Sequence, residues 1–140
     1  AGRLRQATEA GGEVGEAAKT VARLMHPHFL KEDQMALPPL GLLVALARGE
    51  INAEMAAVLE LTDRLEAELP QMLEEHRGIV HALTALREAA GHAGRDDIVR
   101  FAEALVEHAQ TEEEVMYPAA MLVGQVVRQR LNAPVAAGQN

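Results

Sequence analysis

The sequence predicts an all-α fold, an up-down antiparallel helical bundle with extra short apolar helices. Ala, Leu, Glu, Val and Met dominate while aromatics make up 2% and Trp is absent, a composition that suits closely packed helices better than sheets. Apolar residues recur at the three-and-four spacing of amphipathic helices, and the stretches between them are short, so neighbouring helices should run antiparallel. With 49% hydrophobic residues, 140 positions suffice for one domain with its own core, over residues 1–131. The small, polar stretch 132–140 is expected to be a flexible tail.

Residues 3 to 10 have a helical composition and stop at Gly11-Gly12, a predicted loop. From Val14 the apolar positions run Val14, Ala18, Val21, Met25 and then Met35, with His28 and Glu32 on the intervening steps. Pro27 is expected to disturb this helix, since it has no N–H for the carbonyl of Arg23, and Pro38-Pro39 to end it. Leu40 to Ala47 reads as a short apolar helix or turn, broken at Arg48-Gly49-Glu50. Asn52 is a plausible N-cap for a long helix from Ala53 to about Ala90, bent at Pro70 and stopped by Gly91. Its second half carries the stripe Leu69, Met72/Leu73, Ile79/Val80, Leu83 and Leu86, with His76 inside it. Gly94 to Asp96 open another helix, whose stripe reads Ile98, Phe101, Leu105, His108, Glu112, Val115 and which should end before Pro118. Residues 119 to 131 are helical in composition again.

A formal charge of −8 and the lack of any basic run interleaved with aromatics argue against a nucleic-acid partner. No apolar stretch reaches the roughly 18 residues that would span a bilayer, so a cytoplasmic protein is the expectation. Zero cysteines exclude disulfides, thiolate metal sites and a cysteine nucleophile. The His-Glu-x-x-His, Gly-rich phosphate-loop and Gly-x-Ser-x-Gly motifs are absent as well, and no His has Glu three positions before it as in ferritin-like oxidases.

What stands out is a repeat. His28, Glu32 and Pro38 recur as His108, Glu112 and Pro118 at a constant offset of 80. Four residues apart on a helix, each His and Glu share one face and can offer a nitrogen and a carboxylate to one point. Together with His76 these residues occupy stripes that should face the core, where unpaired burial costs several kcal/mol each as an order of magnitude. Either a His/Glu network with water satisfies them, or a metal gathers them; without thiolates, Fe, Mn or Zn would suit such a donor set.

The segments HPHFLKEDQMALPPL, LEEHRGIVHAL and VEHAQTEEEVMYPAA resemble the hemerythrin family, the HHE cation-binding domains, over about residues 14 to 131. They are similar to that family's His-x-x-x-Glu helices, each closing toward a Pro, and to its Glu-His-x-x-Ile helix. The resemblance implies a four-helix bundle around a non-haem, carboxylate-bridged di-iron centre. His28, His76 and His108 would be terminal ligands and Glu32 and Glu112 the bridges. It further implies O2 or NO binding, redox sensing or iron handling. At the offset of 80, the counterpart of His76 falls at −4, upstream of Ala1. The first helix is then represented only by its end, about Arg3 to Ala10, and incomplete iron occupancy is expected of residues 1–140 alone.

Other residues compete for places. His81 and His26 are alternative ligands, Glu113 is an alternative to Glu112, and Glu75 and Asp33 are candidate acceptors for the ligand imidazoles, though a solvated helix face is the simpler account of both. His92 follows Gly91 in a loop and is read as inert. Two function classes stand beside metal binding: an interaction bundle with a decayed site, and a di-iron peroxidase or oxidase, for which no proton-transfer residue can be named. The apolar segments 40–47 and 119–127 offer seams for a homodimer.

Overall fold

The computed structural model describes residues 2–139, with side chains as far as Asn132. Among the described residues there is helix and no strand. Helix α1 spans Gly2–Thr8, α2 Gly12–Lys31, α3 Leu37–Leu40, α4 Leu43–Ala47, α5 Val58–His92, α6 Asp96–Thr111 and α7 Tyr117–Gln139. Four of these, α2, α5, α6 and α7, are long. The tail expected at 132–140 falls beyond the described side chains.

Gly11 (φ 74°) and Gly12 (φ 58°) turn the chain between α1 and α2 in the left-handed region, where a side chain would be strained. Helix α2 continues through Pro27, so one missing backbone bond does not end it. Pro38-Pro39 does not end the helical path either, contrary to expectation. A wide π-helical turn at Glu32–Ala36 intervenes, with Leu37 N–H reaching the Glu32 carbonyl, and the two prolines then fall in the first turns of α3, where a missing N–H is tolerated. A second π-helical turn occupies Glu112–Met116, ahead of Pro118. Both turns thus begin on the glutamate of a pair, at the same offset of 80. Asn52 caps as expected, its side chain accepting from Met55 N–H at 3.2 Å, but the first residues, Ala53–Ala57, form a 3-10 turn before α5.

The chain forms two compact units. The first comprises Ala1–Phe29 and Gln71–Glu112. Its core joins Ala7 of α1, Val14, Ala18, Val21 and Met25 of α2, Ile79, Leu83 and Leu86 of α5, and Ile98 and Ala102 of α6. Apart from Ala7 and Ala102, these are the periodic positions of the expected stripes. The second unit comprises Leu30–Pro70 and Glu113–Asn140. Met55, Val58, Val123 and Val127 are buried there, with Leu42, Ala45 and Leu46 of the short apolar segment packed against them.

Within the second unit, α7 approaches α5 at Gly124, where a Cβ would lie 2.2 Å from Thr62 Oγ1. Arg128 and Asp63 pair through both guanidinium nitrogens at 3.0 and 2.8 Å, and this hydrogen bonding holds the Asp63 carboxyl below its ordinary pKa. Glycine at 124 is a packing requirement. In urea unfolding, Gly124→Ala should lose about 1–3 kcal/mol by overpacking, whereas Gly78→Ala, facing open space in α5, should gain roughly 0.5–1 kcal/mol. Equal stability of the two variants would contradict the close approach.

Candidate metal centre

The first unit places three of the five expected ligands together. His28 on α2, His76 on α5 and Glu112 at the end of α6 are 2%, 2% and 5% exposed, and each offers one ligand atom within 4.8 Å of the others'. Ligands about 2 Å from one metal lie at most roughly 4 Å apart, so this spacing needs little adjustment to close on an ion. The imidazoles of His28 and His76 are inclined at 51°, with centroids 4.5 Å apart.

Glu112 carries the arrangement. Its Oε1 lies 3.1 Å from His76 Nε2, and its Oε2 lies 3.1 Å from His108 Nε2. Each carboxylate oxygen therefore meets an imidazole from a different helix. Behind the centre, His28 Nδ1 lies 2.9 Å from Glu75 Oε1, and Gln71 Nε2 donates to the other Glu75 oxygen at 3.3 Å. A carboxylate on Nδ1 favours the tautomer that leaves Nε2 as the ligand atom. Glu75 is thus more than a solvated helix face; its side chain is 24% exposed, while Asp33 is exposed outright.

His108 is the main correction. It was expected on a core-facing stripe, yet its side chain is 61% exposed. The stripe that α6 buries runs Ile98, Ala102, Ala109 and then Glu112; it shares Ile98 and Glu112 with the expected one but has Ala102 and Ala109 in place of Phe101 and His108, and Val115 is 60% exposed. Next to Ala109, His108 falls on the flank of that stripe, from which it still reaches Glu112. His26, His81, His92 and Glu113 are exposed.

Glu32 belongs to the second unit, where it is 4% exposed and accepts a hydrogen bond from Tyr117 Oη at 2.5 Å. Tyr117 is fully buried and was not singled out from the sequence. The one available signal was that the chain's single tyrosine stands directly before Pro118, five residues after Glu112.

A cavity of about 10 Å3 lies against His28, His76, His108 and Glu112, walled by Met25, Phe29, Ile79 and Leu105. That is room for about one water-sized molecule. Buried imidazole nitrogens converging on a carboxylate, without thiolates, fit a borderline or hard transition metal such as iron. Among the described residues, no helix is long and apolar enough to cross a membrane.

No curated protein and no solved structure gives a significant match to this chain. The model of the hemerythrin HHE cation binding domain matches residues 1–120, a span that begins earlier and ends sooner than the 14–131 read from the motifs. With that match over most of the chain, and helices that bring His28, His76 and Glu112 together, the protein belongs to the hemerythrin HHE cation-binding domain family.

Proposed function

We propose that the protein holds a carboxylate-bridged di-iron site, incompletely occupied in residues 1–140 alone, through His28, Glu32, His76, His108 and Glu112, and uses it to bind a small diatomic ligand, O2 or NO. The observation that carries this reading is the pair of imidazoles on the two oxygens of Glu112, the layout of a carboxylate shared between two ions. Glu32 enters the proposal through its place one helical turn after His28 and through the repeat that equates it with Glu112. When bound, iron supplies the redox chemistry and the open coordination position that the protein lacks. The chain's own residues do the rest. Glu75 holds the His28 ring in register, and Met25, Ile79 and Leu105 give the cavity an apolar wall.

A second reading, iron handling, is favoured by one observation. His108, exposed over most of its side chain, is a ligand that solvent can displace, which suits a metal meant to be given up. Rapid removal of one iron by a chelator, with no reversible spectral change under O2 or NO, would favour handling over ligand binding.

Calorimetric titration with Fe(II) under anaerobic conditions tests the ligand set. His76→Ala and Glu112→Ala should abolish binding at the shared position, and Glu75→Gln should weaken it about 10–100-fold. His26→Ala, His81→Ala and Glu113→Gln should leave it unchanged. Undiminished iron binding after Glu32 and Glu112 are both replaced would sink the assignment. A further expected outcome concerns the exposed ligand: His108→Ala should retain one iron and release the other, whereas loss of both would mean that His108 organises the whole centre.

A further inference from the structure

We propose that Tyr117 is a positioning residue for Glu32, fixing the orientation in which this carboxylate meets the metal. The inference rests on the reading of Glu32 as a ligand. Its ground is a buried contact within the second unit: Tyr117, 0% exposed, donates its phenolic proton to Glu32 Oε2 at 2.5 Å, and Glu32 is 4% exposed. A hydrogen bond to a carboxylate is among the stronger ones in proteins, and rotation of Glu32 would leave the phenol looking for another acceptor away from water. One oxygen of Glu32 thereby meets the phenol, whereas the oxygens of Glu112 lie 3.1 Å from His76 and His108.

The repeat shows that this is a feature of one copy only. At the offset of 80, Tyr117 corresponds to Leu37, which has no hydrogen-bonding group and is 47% exposed. Equivalent positions have therefore taken different jobs. The two glutamates are alike in spacing and burial, and Tyr117 orients Glu32 where Leu37 can do nothing of the kind for Glu112, so the loss of the phenol should act through Glu32.

The test uses the protein's own chromophore. With one tyrosine and no tryptophan in the chain, near-UV absorption and tyrosine emission report on this phenol. The full chain is titrated with Zn(II), a colourless probe, and with Fe(II) under anaerobic conditions, while calorimetry follows binding. The tyrosine signal should change in step with metal uptake, and in Glu32→Gln it should no longer do so. Tyr117→Phe should keep the stoichiometry and weaken binding about 10–100-fold, the usual cost of losing a partner behind a ligand. Metal uptake with a silent tyrosine, or unchanged affinity in Tyr117→Phe, would overturn the positioning role and leave the metal-binding reading standing. Failure of both Zn(II) and Fe(II) to bind would overturn both. Should Tyr117→Phe not fold, the wild-type and Glu32→Gln titrations decide.

Discussion

A carboxylate taken out of water must be given partners, and the first unit meets that demand at Glu112 with an imidazole on each oxygen. The rest of its site follows from this requirement. His76 has to arrive from α5 and His108 from α6, so both helices must present them at one level, and the apolar positions that fix that level are the neighbours of the ligands on the same stripes. Ile79 and Leu83 lock α5 next to His76, and Ile98 and Ala102 lock α6 ahead of Glu112. Packing and chemistry are therefore read from one periodicity.

The duplication extends beyond the ligands into the backbone. Glu32 and Glu112 each open a π-helical turn, five residues long in both cases, and a proline follows two residues after each turn. Proline alone does not account for these turns, since Pro27 and Pro70 lie inside regular α-helix with no widened turn before them. The widening changes which side chains face inward.

The limit of what the sequence discloses lies within α6, ahead of the second widened turn. His28, Glu32, His76 and Glu112 lie on stripes whose neighbours are unambiguously apolar, and their burial is legible. His108 is not, because Phe101, Leu105 and Val115 compose a convincing stripe beside the true one through Ala102 and Ala109, and small residues give a weak signal of burial. Glu75 was ambiguous for another reason: a partly exposed carboxylate beside a buried histidine looks like any solvated helix face until the ring orientation is known. The contact between Tyr117 and Glu32 spans 85 positions, and no periodicity within one helix encodes it.

Among the described residues, no buried side-chain nitrogen or oxygen lacks a hydrogen-bond partner. His76 and His108 each lie within ion-pair distance of Glu112, so the buried carboxylate has polar neighbours supplied by the chain itself. On the proposed reading, a metal bound there would replace these two contacts. The bond from His28 to Glu75 is of another kind, since it uses Nδ1 and leaves Nε2 for coordination, and the bond from Tyr117 to Glu32 engages a single oxygen. On the proposed reading, metal entry at Glu112 would exchange the contacts between ligands for coordination, and the affinity of the ion would measure the difference.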